Sequence, residues 1–222
     1  MAKYIKDIVL GLSGKVGNKV GCKTKTGYYV RRLGAKTTKP PTVKQLAQRN
    51  KFKLAEAFLG GLRELFKMLP GASEKKPFAY FGAVGHFIKE AITGEFPEQS
   101  IDYAAVRLTS GPLFKGSDHS VQAEPDALTF SWSDKAPGNI YPELAVLLAY
   151  SPLTDQWIYR IVLIDAPTHM ATLNLPFYFQ GDQLETWLYF LSLSGESVSD
   201  SVYTGCFLIP SVEENLIDKL TN

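Results

Sequence analysis

Apolar and basic residues alternate through "GKVGNKVGCKTKTGYYVRR", Gly14 to Arg32, around Gly-Asn and Thr-Gly turn signals. That period of two, with the β-branched run "YIKDIVLGL" ahead of it, predicts short strands over Ile5 to Arg32, a ribbon or meander. Alternation puts Val16, Val20 and Cys22 on inner positions and the lysines outside, although the glycines loosen the register. A few such strands are marginal alone in water, so the ribbon must lie on something.

The period changes after "KTTKPP". Thr42 and Gln45 fit a capping box, and the prolines before them stop a helix from extending backward. Val43, Leu46, Leu54, Phe58, Leu62, Leu65 and Leu69 then fall along one helical face, with Gly60 and Gly61 expected to bend or split the helix. A second helix is expected over Pro77 to Thr93, carrying Phe81, Val84, Ile88 and Ala91 on a face, with Gly94 as its stop.

From Tyr103 onward the pattern is of strands. "YAAVRLTSG", "SVQAEPDALTFSWSD", "ELAVLLAYSP", "WIYRIVLIDA", "HMATLNLP", "QLETWLYFLSLSG" and "SVSDSVYTGCFLIP" are seven runs split by Pro, Gly, Asn and Asp. Without helices between them they predict an antiparallel sandwich of immunoglobulin or fibronectin-III type. Leu128, Phe130 and Trp132 share one face, and Leu184, Thr186, Leu188 and Phe190 oppose Trp187, Tyr189 and Leu191; Trp132 and Trp187 read as core aromatics. The tail "VEENLIDKL" suits a short helix. The expected fold is thus α+β and mainly β: residues 1–100 hold a basic β-ribbon and a helical hairpin, and residues 101–222 a β-sandwich with a short tail.

Charge changes this picture more than composition does. With 45% hydrophobic and 21% charged residues in 222, the chain can bury a full core. Its net charge of +2 hides a split: residues 1–53 carry fourteen Lys or Arg against Asp7 alone, and the remainder ten bases against twenty-one acids. Such halves call for an anionic partner, for the acidic half of a neighbouring copy, or for neutralisation within one molecule. The two cysteines, Cys22 and Cys206, lie in no metal spacing and read as free thiols of a reducing compartment. The apolar run Ile8 to Leu12 is too short for a secretory core or a membrane span, so a cytoplasmic location, or one inside a particle assembled there, is expected, with no membrane partner.

The stretches "GKVGNKVG", "PPTVKQLAQRNKFKLAEAFL", "AITGEFPEQSIDYAAVRLTSGPL" and "GESVSDSVYTG" resemble an uncharacterised family of Bacteroidota proteins about 200 residues long, in the family's order and along nearly the whole chain. The resemblance implies a bacterial or phage source and a sandwich-like C-terminal half. It carries over no catalytic residue. The chain departs from the family pattern at Cys22, where a bulky aromatic or aliphatic residue is usual, and in an extended tail after Gly205.

Signatures of catalysis are missing. "GLSGKVG" lacks the spacing and the hydroxyl of a phosphate loop, so its glycines serve turns and close strand packing. There is no nucleophile elbow, zinc-protease helix or cysteine knuckle, and His86, His119 and His169 fall in separate elements. "SDHS", Ser117 to Ser120, reads as a polar turn rather than a triad. Asp155, Asp165, Asp182 and Glu185 could gather on loops around calcium but read as solvated carboxylates. No enzymatic activity, cofactor or small-molecule substrate is expected. What remains is a basic patch spanning ribbon and helix start: Lys15, Lys19, Lys23, Lys25, Tyr28, Tyr29, Arg31, Arg32, Lys36, Lys39, Lys44 and Arg49, continued by Lys51 and Lys53. It suits either the acidic sandwich of another copy, in a homo-oligomeric ring or filament, or non-specific nucleic acid, whose backbone the charges would track and whose bases the tyrosines would stack on.

Overall fold

A computed structural model describes residues 14–25, 27–35, 39–69, 78–133, 143–164 and 169–211. The expected strand "YIKDIVLGL", Lys36, Pro77, Asp165 and the expected tail helix lie outside the described residues. The chain divides into two units, residues 1–42 and 43–222.

The first unit contains a three-stranded antiparallel sheet of β1 (Gly14–Val16), β2 (Lys19–Thr24) and β3 (Gly27–Arg32) in chain order. The turn between β1 and β2 is Gly17–Asn18, with Gly17 at φ +59, a left-handed conformation that suits glycine. The expected segregation of apolar and basic residues fails here. Val16 pairs with Lys19 and so shares its face, while Val20 lies opposite both Lys15 and Arg31. Each strand alternates, but the register across the two turns places cations beside apolar residues on both faces.

In the second unit, α1 (Val43–Gly60) and the short α2 (Arg63–Lys67) are separated at Gly61–Leu62, and α3 (Phe78–Glu90) packs against both. Leu54, Phe58, Leu62, Leu65 and Leu69 point inward, whereas Val43 is exposed. The helix expected to run to Thr93 stops at Glu90. Ile92–Thr93 instead forms β4, paired with β5 (Ser100–Ile101), and the chain leaves β4 through Gly94 at φ +78. A side chain at Gly94 would meet the Glu98 carbonyl at 2.5 Å, so a tight hairpin wins over helix propensity.

Seven strands build two antiparallel sheets. β6 (Ser117–Glu124), β7 (Ala127–Ser133) and β10 (Met170–Asn174) form one, in the order β10-β7-β6. β8 (Leu144–Ser151), β9 (Gln156–Leu163), β11 (Gln183–Leu191) and β12 (Val202–Leu208) form the other, in the order β12-β11-β8-β9. The number of strands matches expectation but their membership differs. "SVQAEPDALTFSWSD" contributes to two strands, β6 and β7, across Pro125–Asp126. "YAAVRLTSG" makes no ladder: it is a 3-10 turn, Tyr103–Ala105, then an extended strap bound to residues 198–201 through Thr109 and Ser201. Gly111 lets the strap approach, since a Cβ there would fall 2.1 Å from the Val198 carbonyl. "SDHS" is not a turn but the bulged start of β6, with Asp118 at φ 49 and the register shifting between Ser117 and Ser120.

Leu128, Phe130 and Trp132 meet Ala145, Leu147, Leu184, Leu188 and Phe190 between the sheets. On the other face of the four-stranded sheet, Val146, Leu148, Tyr150, Trp187, Tyr189 and Leu191 pack under the three helices. That second core corrects the expected division at residue 100, because helices and strands bury their apolar faces in each other. β8 and β11 are covered on both sides, which is why "LAVLLAY" and "TWLYFL" are nearly continuous apolar runs. Among the described residues no helix is long and apolar enough to cross a membrane.

Phe58 is the keystone of the helix–sheet contact. It is fully buried, with its ring centroid 5.1 Å from Phe87, 4.8 Å from Tyr150 and 4.9 Å from Trp157, while Trp157 Nε1 donates to the Phe58 carbonyl at 2.6 Å. Phe58→Ala removes this ring and leaves a cavity, so chemical denaturation should show a loss of about 3–5 kcal/mol with the m-value unchanged.

Candidate interaction surfaces

The ribbon gathers seven of the twelve expected site residues on its three strands and adds Lys25 in the turn between β2 and β3. Lys19 stands directly opposite Arg32, and Lys15 and Arg31 flank Val20 on the other face. Four cations therefore crowd one end of the sheet, two on each face, with cross-strand Cα spacings of about 4.5–5.5 Å. Like charges directly opposed weaken a strand pair. Residues 14–42 contain no Asp or Glu, so nothing in the described part of this unit offsets them.

Toward the other end, Lys23 lies over the Tyr28 ring, 5.8 Å from its centroid, and Tyr29 sits opposite Cys22. The hydrogen bond to Cys22, and then the negative charge of that sulfur as a thiolate, hold the Tyr29 hydroxyl above its ordinary value. Lys39 is exposed beyond the ribbon. Lys44 and Arg49, both exposed, stand on α1 in the second unit, so the single patch expected to span ribbon and helix start is divided between units.

The second unit carries the acid. Residues 1–42 hold ten bases and one acid, a net +9, leaving fourteen bases and twenty-one acids, a net −7, for residues 43–222. Among the described residues the ion pairs are Arg63–Glu56 and Lys67–Glu64. Glu90, Glu95, Glu98 and Asp102 are all exposed around the β4–β5 hairpin, an acidic lobe with Lys89 beside it.

Sequence reasoning missed a polar row at one end of the four-stranded sheet. The carboxylates expected to be solvated are in part buried: Asp182 is 7% and Glu185 8% exposed. Ser151 donates to Asp182, Tyr203 donates to Glu185 at 2.6 Å, and Tyr150 donates to Asp155 at 2.7 Å. Trp157, Tyr150, Glu185 and Cys206 are successive cross-strand neighbours in this row. Burial, then the bond and charge of the nearby carboxylate, push the hydroxyls of Tyr150 and Tyr203 well above the usual tyrosine value. Tyr103 is raised by burial and then by Glu185 and Asp155, and the Cys206 thiol by burial and then by Glu185. Partners 18 and 31 residues apart leave no local pattern by which they could be found.

Both cysteines are free thiols, Cys22 half-buried and Cys206 exposed. Among the described residues no three His, Cys, Asp or Glu side chains are grouped to hold a metal ion. The Ser117 hydroxyl reaches Asp118 and the Ser133 carbonyl, while His119 Nε2 lies 2.7 Å from the Lys115 carbonyl, so the three "SDHS" groups do not join in a relay.

The model of a family of unknown function, DUF6266, matches residues 11–205. No curated protein matches the chain. Among solved structures it is similar to a myokine, at 10% identity over 45% of this chain and 99% of that one with a TM-score of 0.36. It is also similar to the fn3 domain of human collagen alpha-1(XX), at 16% identity over 46% and 90% with a TM-score of 0.33.

The raised tyrosines set a pH dependence. An unfolded tyrosine ionises near pH ~10, and the folded hydroxyls hold their protons beyond that. Stability is therefore unaffected below the unfolded value and falls above it, as the unfolded state releases protons that the folded state retains. Denaturant midpoints should drop above pH ~10, with tyrosinate absorbance from the native protein lagging that of the unfolded chain.

Proposed function

We propose that this chain, which belongs to the DUF6266 family of unknown function, is a non-enzymatic assembly protein whose basic N-terminal ribbon docks on the acidic body of another copy. The observation that carries this reading is the division into two units of net +9 and −7, the positive one folded so that Lys19 faces Arg32 with no acid among its described residues. Opposed cations cost stability in the isolated ribbon. A negative surface brought against them offsets that cost. The lobe of Glu90, Glu95, Glu98 and Asp102, all exposed, is such a surface.

A contact between two different patches is heterologous, so it closes into a ring or continues as a filament. The body would act as the rigid repeat of such an assembly. We read its sandwich as of fibronectin-III type: the fourth strand pairs the third, in the second sheet, where a constant-type immunoglobulin domain would keep it in the first. The ribbon and the helices are the additions that give this sandwich an arm and a covered face.

A second reading rests on the Tyr28 and Tyr29 rings among the cations, with Tyr29 44% exposed: the ribbon holds nucleic acid without sequence preference. Sedimentation velocity on nucleic-acid-free protein separates the two. At about 50 mM salt, assembly predicts species larger than those at 0.5 M, and neutralising Lys15, Lys19, Arg31 and Arg32 to Gln should abolish the difference. If the mass is independent of salt and labelled single-stranded DNA shifts with an affinity falling steeply in salt, the nucleic-acid reading replaces it.

A further inference from the structure

The two sheets of the body have four edge strands, and three are protected. β12 carries a bulge, with Thr204 as the extra residue between Thr186↔Gly205 and Trp187↔Tyr203. β6 is bulged between Ser117 and Ser120. β10 is only five residues long. Bulges and short edges are ways in which a sheet avoids joining another.

β9 has none of these. Its eight residues pair with β8 in an unbroken register from Gln156 to Leu163, without proline, glycine or lysine. Among the described residues no backbone hydrogen bond is made along its outer side. Tyr159 and Ile161 are each 36% and Leu163 62% exposed, all on the helix-side face. The strand's one charge, Arg160, donates to the Thr172 carbonyl of β10 at 2.7 Å. A long, regular, apolar edge of this kind is a template for another strand.

We propose that β9 pairs antiparallel with β9 of a second copy about a two-fold axis, joining two four-stranded sheets into one of eight strands. The strand is complementary to itself when Ile161 lies on the axis. With Ile161 opposite its own copy, Tyr159 faces Leu163 of the partner and Leu163 faces Tyr159, so the apolar stripe is continuous across the axis. Arg160 then faces Val162. Shifting by one step, to put Arg160 on the axis, would oppose two guanidinium groups and is disfavoured. The basic ribbon is the poorer occupant, because β9 itself carries no carboxylate to meet its cations. The pairing is isologous and apolar, so it is distinct from the salt-dependent contact proposed above and survives its screening.

Eight residues a side is small against the roughly 1,200–2,000 Å2 of a stable interface, so the pairing is weak and best detected by trapping it. Directly opposed residues of an antiparallel pair have Cα atoms about 4.5–5.5 Å apart, within disulfide reach. In full-length protein with Cys22→Ser and Cys206→Ser, Ile161→Cys should form a covalent dimer under mild oxidation. Tyr159→Cys or Leu163→Cys alone should not, and the two together should. Leu153→Cys, on an exposed turn, is the control for random collision. Independently, at protein concentrations high enough to populate a weak dimer at 1 M salt, where arm contacts are screened, Ile161→Lys should lower the measured mass, with an unchanged melting temperature showing that the variant folds.

Cross-linking at Ile161 no faster than at Leu153 overturns the proposal, as does a high-salt mass that Ile161→Lys leaves unaltered; either would follow if the ribbon or another segment covered β9. Neutralising the four ribbon cations tests the arm alone. Loss of salt-sensitive species with the cross-link intact would support the edge pairing whatever the fate of the arm, and the converse would sink the pairing only.

Discussion

The body depends on a sheet buried on both faces. β8 and β11 alternate like any strand, yet both sets of their side chains are apolar, one turned to the second sheet and the other to the helices. Trp187 and Tyr189 face α1–α3 while Leu188 and Phe190 face β7, so neither layer can leave without exposing the other side of the same strands. Each large buried ring contributes about 2–3 kcal/mol of transfer free energy in full burial. Phe58 concentrates this, meeting rings from α3, β8, β9 and β11 within about one ring diameter. The helices are therefore part of the folding unit, and only the chain before Val43 divides from it.

Much of this was legible where periodicity is local. The inward face of Leu54, Phe58, Leu62, Leu65 and Leu69, the break at Gly60–Gly61, and the opposite faces of β11 follow from spacings of three, four and two. What failed was decided by partners distant in sequence. Thr93 lies in a hairpin because Ser100 pairs with it, "YAAVRLTSG" is a strap because residues 198–201 bind it through backbone and side-chain hydrogen bonds, and Asp182 and Glu185 are buried because Ser151 and Tyr203 meet them. The helix–sheet core was legible in part, since "LAVLLAY" is apolar at every position, a pattern that a sandwich with one solvated face does not require. Of the candidate site, the ribbon cations were visible as a set, but the crowding of Lys15, Lys19, Arg31 and Arg32 needed the register.

The same register explains why the ribbon makes a poor structural element by itself. Its largest apolar residues are split between faces, Val16, Tyr28 and Val30 on one and Val20, Cys22 and Tyr29 on the other. Neither face can bury a core, and Val16 remains 58% exposed. A sheet patterned for its own stability would place its cations outside one face and pack the other. This sheet instead presents mixed apolar and basic residues on both faces.

Hydrogen bonding and charge compensation are separate problems, and the buried carboxylates of the body have the first solved without the second. Glu185 and Asp182 receive hydroxyl hydrogen bonds from Tyr203 and Ser151, which lower the cost of removing those carboxylates from water, and the exposed Asp155 receives one from Tyr150. A hydroxyl brings no counter-charge. Salt bridges would have satisfied the same lone pairs and brought a counter-charge, yet Arg63 pairs with exposed Glu56 of α1 and Lys67 with exposed Glu64 of α2, where such pairs contribute little to stability. By sequence, residues 43–222 carry an excess of seven acids and residues 1–42 an excess of nine bases, with six bases and no acid between Lys15 and Arg32. Among the described residues of the body, apolar burial and hydrogen bonds rather than ion pairs hold the fold.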